Sequence, residues 1–343
     1  MLPNPNRGNS VNASIRRLMT ALACLTILTT ACSNARSDGG LEKVTASWLP
    51  IMQTTAYYVA LEEGLFEKAG IEIESVKFGN PNQIIDSLVS GQADFGPPGA
   101  AAGIAMLAES EFPGTFKVFG LQGGGIEVDR INDGLIVKKG SDIKSFRDLK
   151  GRTVGTVPGV QWKTITRYLV RQNGLDPDKD VNVTEVGVPL QVPSLTAGTV
   201  DATLSLEPVG SIAVASGEAE RAMTNPVAQF IADPFYSGAA VLTQKFIDER
   251  PEVARKVVEV LDEATRLVNE DFDKYKSVIP KYTAITADQL DVLAQPYLRG
   301  FEDLNETDLN SYQAFVDVFV KEGVLKEPLD VRTKILKMSD FEK

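Results

Sequence analysis

The first stretch with a clear pattern lies at 41–78. Val44, Ala46 and Trp48 fall on every second position, the period of a short half-buried strand. A loop over 49–54, opened by Pro50, follows, and from 55 to 63 the apolar residues Ala56, Val59 and Ala60 recur at helical spacing, with Leu65 beyond the turn. Gly64 marks a helix stop, because the left-handed position after a helix suits a residue without Cβ. Gly70 then leads into Ile71, Ile73, Val76 and Phe78, a second strand. Strand, loop, helix and strand make a βαβ unit with parallel strands. Open parallel sheets bind ligands beyond the carboxyl ends of their strands. That rule puts Trp48, Gln53 and Thr54 beside a ligand.

The same reading continues along the chain. Asn80 or Asn82, in a turn cluster over 79–82, caps a helix that buries Ile84, Ile85, Leu88 and Val89. Ala93, Phe95 and Gly96 form a short strand, and Pro97, Pro98, Gly99, Ala100 and Ala101 open a helix expected over 100–108. Free N–H groups at such a helix start bind an anion or a carbonyl, and Gly99 and Ala100 have no bulk to block it. The plainer alternative is that the small residues only allow close helix–sheet packing. After a strand at 116–119, the run 121–126 (LQGGGI) suits a strand end that bends or a backbone that approaches a ligand. Gln122 there can donate to a ligand or bond backbone.

Strands are expected at 135–137 and 153–156, with Gly151 turning the chain between them. The loop 157–162 carries Gly159, Gln161 and Trp162 into a helix with Ile165, Tyr168 and Leu169 on one face. Trp48 and Trp162 are the only tryptophans of the chain, and both fall in expected strand-to-helix loops. Two aromatic faces can clamp an organic ligand; alternatively Trp162 packs beneath the interface between the two halves. Val181, Val183 and Val186 alternate as a strand, and the loop 187–191 offers Gln191 as a donor. A strand at 235–242 precedes a helix started by Pro251, whose missing N–H is not needed there. Helices at 286–293 and 307–322 have Thr286 and Thr307 as caps.

The 343 residues suffice for two domains of ordinary size. Net charge is −11, and the three arginines of residues 1–31 stand there without an acid, so the rest is more acidic still. An acidic body argues against nucleic-acid binding. There is no histidine, which removes Ser-His-Asp and Cys-His nucleophile systems, histidine acid–base chemistry and ordinary zinc sites. Carboxylates do not cluster at liganding spacing in the candidate loops, so no metal is implied, nor is a cofactor. The two cysteines, Cys24 and Cys32, both lie near the N-terminus and cannot staple the fold.

Arg16 and Arg17 precede an apolar run over 18–31, too short to span a bilayer, which needs about 20 residues. Basic flank, short apolar run and small residues make a secretory signal. Thr30, Ala31, Cys32 and Ser33 resemble a bacterial lipobox, in which Cys32 is lipidated; Thr29 stands where Leu is usual. The alternative is ordinary cleavage near Ala31, leaving an exposed thiol in an oxidising compartment. Residues 33–40 (SNARSDGG) read as a flexible tether.

Residues 57–74, YYVALEEGLFEKAGIEIE, resemble the N-terminal signature of the periplasmic substrate-binding proteins of ABC importers, in the nitrate/sulfonate/taurine group. Residues 92–96 (QADFG), 148–155 (DLKGRTVG) and 195–202 (LTAGTVDA) are similar to further family segments, as are Glu207-Pro208 and the helix start Arg250-Pro251-Glu252. The resemblance runs over most of 43–328. It implies an α/β, two-lobed periplasmic binding protein fold of type II, each lobe a mostly parallel sheet flanked by helices. Lobe 1 would take 41–125 plus 226–343 and lobe 2 126–225, behind a signal at 1–32. It implies a small-molecule ligand in the cleft, touched by Asn80, Pro98, Gly99, Ala100, Gly159 and Glu207 besides the residues above. Glu207 would bind a ligand amine, latch the lobes, or cap a helix. The implied partners are a membrane permease with its cytoplasmic ATPase; a monomer anchored by lipid is expected. The family takes nitrate, bicarbonate, taurine, sulfonates, riboflavin and pyrimidine precursors. Two tryptophans and few basic residues favour an organic ligand, anionic and held by neutral donors, of sulfonate or aromatic/heterocyclic type. The implied activity is carriage, not catalysis. A sensing module on the same fold is one alternative; a pyrimidine-precursor synthase is another, but those enzymes depend on histidine.

Overall fold

The computed structural model describes residues 40–342. The expected signal at 1–32, lipidated Cys32 and the tether up to 39 lie outside the described residues. Eleven strands are described: β1 (Glu42–Trp48), β2 (Ile71–Lys77), β3 (Phe95–Ala101), β4 (Phe116–Gly124), β5 (Asp133–Lys138), β6 (Thr153–Thr156), β7 (Asn182–Glu185), β8 (Ala202–Leu206), β9 (Ala219–Thr224), β10 (Phe235–Thr243) and β11 (Tyr297–Arg299). They form a six-stranded sheet in the order β11-β4-β10-β3-β1-β2 and a five-stranded sheet in the order β7-β6-β8-β5-β9. In the first, β1 to β4 run one way and β10 and β11 the other. In the second only β5 is reversed. Both sheets are therefore parallel in most of their strands, as expected.

The opening βαβ unit is as the pattern predicts. β1 and β2 pair in parallel from Glu42↔Ile71 to Trp48↔Lys77, around the helix Thr55–Glu62, and Gly64 takes the left-handed conformation at φ +63°. Asn80 caps the helix Pro81–Val89 through a bond from Asn82 N at 2.8 Å.

The next expectation fails. Pro98, Gly99 and Ala100 do not start a helix; they belong to β3, and the helix Ala102–Glu111 begins beyond them. β10 covers this strand with a register shift between Ala239 and Val241, opposite the prolines. Proline lacks a ladder donor, and an irregular stretch of strand tolerates that loss. The small residues matter one turn later: a Cβ on Gly103 would strike the ring of Phe319, so the helices Ala102–Glu111 and Glu306–Lys321 meet closely there. β4 also runs further than expected, through Gln122 to Gly124. A Cβ on Gly123 would overlap the Phe235 carbonyl, so these glycines accommodate the chain's own backbone rather than a ligand.

Three smaller corrections follow. Gln161 and Trp162 lie inside the first turn of the helix Val160–Gln172 rather than in the loop before it. Asn305, not Thr307, caps the last long helix, accepting from Thr307 N and Asp308 N. Thr286 caps a 3-10 turn, Ala287–Val292, not an α-helix.

Three apolar clusters form the core. Val44, Ala46 and Trp48 on one face of β1 pack with Tyr57, Tyr58 and the long helix Pro251–Glu270. Ile136, Leu195 and Ala213 fill the outer face of the second sheet. The largest cluster is shared by both halves. It joins Ile84, Ala102 and Phe315 on the first sheet's side to Leu135, Val154, Trp162 and Leu169 on the second's.

The chain crosses between sheets at 125–132 and 225–234. Asn225, at φ +48°, pins these crossovers together: its Oδ1 accepts from Asn132 N at 2.8 Å and its Nδ2 donates to Arg130 O at 3.0 Å. Asp233 accepts from Ile126 N and Glu127 N, and Asp133 Oδ1 accepts from Val227 N at 3.1 Å. Such loops would otherwise leave buried backbone groups unpaired, and short polar side chains supply the partners.

Candidate functional site

The parallel strands of each sheet end at their carboxyl edges with the residues that sequence singled out. On the first sheet these are Trp48, the last residue of β1 rather than part of the loop after it, and Gln122 near the end of β4; on the second they are Gly159 after β6, Gln191 after β7 and Glu207 after β8. Side chains join the two edges directly. Gln53 Nε2 donates to Glu207 O at 2.7 Å. Gln161 Nε2 donates to Ser237 O at 2.8 Å, and its Oε1 accepts from Gly103 N at 2.8 Å. Gly103 N is one of the orphan donors at the start of the helix Ala102–Glu111, so the second half supplies its partner. Gln53 and Gln161, read from sequence as ligand donors, thus spend their amides holding the two edges together.

Backbone packs tightly under the first edge. Gly99, at φ +111°, lies where a Cβ would stand 2.6 Å from Thr54 Oγ1. The Thr54 hydroxyl donates to Leu49 O at 3.1 Å. Gly238 lies against Gly99, and a Cβ on it would collide with Gln122 Oε1. The Gln122 amide is 2% exposed, and its Nε2 has no hydrogen-bond partner. Gln191 is fully buried, and neither Nε2 nor Oε1 of its amide is partnered. Buried polar groups in native proteins are overwhelmingly hydrogen-bonded, so each of these amides calls for a partner beyond the chain's own groups, an ordered water or a ligand. Asn80, by contrast, uses its side chain as a cap. The neighbouring Asn82 Oδ1 is the unpartnered atom there, 3.8 Å from where Gly159 would carry a Cβ.

The two tryptophans are not brought together as a clamp. Trp48 packs edge-on against Tyr58 and Tyr282, with ring centroids 5.5 and 6.0 Å away. Trp162, 4% exposed, belongs to the cluster shared by the two sheets, the alternative considered for it. Alternation explains the separation: Trp48 shares the face of β1 that carries Val44 and Ala46, which packs on the helices Thr55–Glu62 and Pro251–Glu270.

Glu207 is also committed within the protein. Its Oε1 pairs with Arg221 Nη2 at 2.6 Å, and its Oε2 accepts from Ser211 N at 3.4 Å, at the start of the helix Val209–Ala215. Of the three roles considered, helix capping and a bridge between halves (through its backbone oxygen) are present, while the carboxylate that would meet a ligand amine is occupied by Arg221. Asp133, fully buried nearby, has its carboxyl pushed up to about 6, chiefly by burial; bonds from Asn132 and Val227 pull it down, and the charge of Glu207 pushes it further up. Sequence reading missed Arg221, Asp133 and Asn225. Arg221 stands on β9, whose polar sequence AERAMT gives no strand pattern. The asparagine and the aspartate look like ordinary loop residues until the crossovers are seen side by side.

Two surface hollows, of about 260 and 230 Å³, contain none of these residues. One is lined by Asp94 and Thr115, just before β3 and β4, and the other by Arg152 and Asp201, just before β6 and β8. Both lie at the amino edges, opposite the edge where such sheets bind ligands. Among the described residues no group of three or more acidic, cysteine or histidine side chains is placed to hold a metal ion.

A family profile described as "NMT1/THI5 like" matches residues 51–274. A Brucella abortus (strain 2308) protein, named provisionally as a binding protein, is 26% identical over 285 residues, covering 81% of this chain and 84% of that protein. The periplasmic aliphatic sulphonate binding protein SsuA from Escherichia coli superimposes with TM-score 0.68 at 18% identity, over 86% of this chain and 97% of that one. The periplasmic nitrate-binding protein NrtA from Synechocystis PCC 6803 does so with TM-score 0.67 at 16% identity, over 88% of each chain. At these identities the two structural likenesses concern the fold.

Proposed function

Because the chain belongs to the NMT1/THI5-like family, we propose that it is the extracytoplasmic solute-binding component of an ABC importer, held at the membrane through a lipidated Cys32. In this reading residues 41–125 with 226–343 form one lobe and residues 126–225 the other. The lobes close about the crossovers at 125–132 and 225–234 on a small organic solute and present the closed form, as a monomer, to the permease and its ATPase. Closure is a population shift stabilised by the ligand. The relatives named for sulphonate and nitrate binding support the class.

The observation that carries the proposal is the pair of facing carboxyl edges, bridged by Gln53 and Gln161 and holding unpartnered buried amides at Gln122 and Gln191. A carrier needs donors that a solute can satisfy, and these amides are neutral. Arg221 pairs with Glu207 through Nη2, so its charge is largely neutralised within the protein although its Nη1 has no partner. We therefore propose an organic ligand whose polar end, a sulfonate or a carbonyl of an aromatic or heterocyclic compound, is held by neutral donors. Catalysis has little support, since the chain beyond residue 32 has neither cysteine nor histidine.

The test is a thermal-shift screen of residues 41–343 against nitrate, bicarbonate, taurine, alkyl and aryl sulfonates, flavins and aromatic carboxylates. A ligand at 100 times its Kd adds about 2.7 kcal/mol of stability. A saturable shift with one class identifies the cargo; no shift across the panel counts against a solute carrier of this kind. Separately, membrane retention of a Cys32→Ser protein would refute the lipid anchor.

A further inference from the structure

Gln191 differs from every other buried polar residue described here in having both ends of its side-chain amide unpartnered at zero exposure. A buried amide in that state loses the hydrogen bonds water gave it and gains none. Its position is also defined: it follows β7 at the carboxyl edge of the second sheet, the edge that carries Gly159 and Glu207. In the Gln122 amide, at the corresponding edge of the first sheet, the buried unpartnered atom is the donor Nε2. The two therefore ask for different things. Gln122 asks for an acceptor. Gln191 asks for an acceptor and a donor side by side.

We infer that Gln191 is a specificity-determining residue of the proposed solute site, and that it reads an amide-like edge of the ligand. By this we mean an N–H donor next to a carbonyl acceptor, as in a carboxamide, a lactam or a cyclic imide. This rests on the solute-binding reading and deepens it, because a sulfonate offers acceptors alone and leaves Gln191 Oε1 unsatisfied. A site built to hydrogen-bond a group rejects analogues that lack it, since its own buried atoms are then left without partners. Glutamine carries a donor and an acceptor on one planar group and so matches that edge in two parallel bonds.

The test compares wild type with Gln191→Met, an unbranched apolar substitute that fills irregular space. Without ligand, Gln191→Met raises the melting temperature, by roughly 1–3 °C, because an unsatisfied amide has been removed. An unchanged or lowered melting temperature means that the amide is satisfied within the protein, and overturns the inference. The probes are nicotinamide, 2-pyridone and succinimide, with pyridine-3-sulfonate as the acceptor-only control. At least one amide-edge probe shifts the wild type, and its affinity falls about tenfold or more in Gln191→Met. Equal shifts in both proteins overturn the assignment, as does the failure of all three amide-edge probes. A shift by pyridine-3-sulfonate that survives the substitution leaves solute binding standing while Gln191 loses its role; silence from all four probes counts against both.

Discussion

Gln161→Met removes a side chain that the structure uses twice. The amide is 2% exposed, accepts from Gly103 N and donates to Ser237 O, each at 2.8 Å. Methionine fills a similar volume, so the perturbation is chiefly the loss of two bonds. Both abandoned partners are backbone groups on the first sheet's side of the molecule. Leaving a buried group unpaired costs about 1–3 kcal/mol. Two of them, less what a thioether recovers in apolar contact, come to about 2–4 kcal/mol, a value that reaches the upper range for single substitutions. The loss falls on the association of the two halves, because Gln161 stands on the helix Val160–Gln172 of the second. The assay is urea unfolding of the ligand-free protein followed by circular dichroism, with the midpoint read at constant slope. Small-angle scattering provides the companion measurement, and the radius of gyration is expected to rise in the variant. A change under about 0.5 kcal/mol with an unchanged radius would refute the reasoning, and the shared apolar cluster would then hold the halves unaided. Gln161→Glu sharpens the test. Its carboxylate can still accept from Gly103 N, but at neutral pH it sets an oxygen against the Ser237 carbonyl. Protonation restores a donor, so the folded protein raises the pKa of this group. The variant's stability is therefore retained below the ordinary glutamate pKa and lost as pH rises through the raised value.

Two further expectations follow from the same structure. Asp133, with its carboxyl pushed up to about 6 by burial, binds its proton more tightly in the folded chain than in the unfolded one. Its contribution to stability is therefore full below about pH 4 and is lost as pH rises through about 6, by up to about 3 kcal/mol. Asp262 is raised to about 6 in the same direction, so the readout is the difference in slope between wild type and Asp133→Asn; equal slopes would refute the assignment. Gly99→Ala forces a side chain to φ +111° and to 2.6 Å from Thr54 Oγ1, and is expected to destabilise by about 2 kcal/mol or more. Thr54→Ala restores only part of this in the double variant, because the backbone strain persists; full restoration would show that the contact alone was at fault.

Periodicity and local chemistry determined much of this protein without help from tertiary contacts. The alternation of Val44, Ala46 and Trp48, the stop at Gly64 and the proline start at Pro251 each specify an element through interactions within a few residues, and the structure has those elements in place. The carboxyl-edge rule pointed to Gln53, and the loops and the family resemblance pointed to Gln122, Gln161, Gln191 and Glu207; all five stand at or beside the carboxyl edges of the two sheets. What each residue does there depended on partners distant in sequence. Gln53 meets Glu207 across 154 positions, and Gln161 meets Ser237 across 76. A glutamine spent on a carbonyl and one left unsatisfied look alike in sequence, and only the approach of the second chain segment separates Gln161 from Gln191. Pro98, Gly99 and Ala100 became strand because β10, more than 130 residues later, lies alongside to pair with them, an interaction that no local propensity encodes. The tryptophans parted for a related reason. Two aromatic residues in equivalent loops suggest a clamp, but which face of a strand or helix each occupies, and which cluster it enters, is decided when the sheets pack.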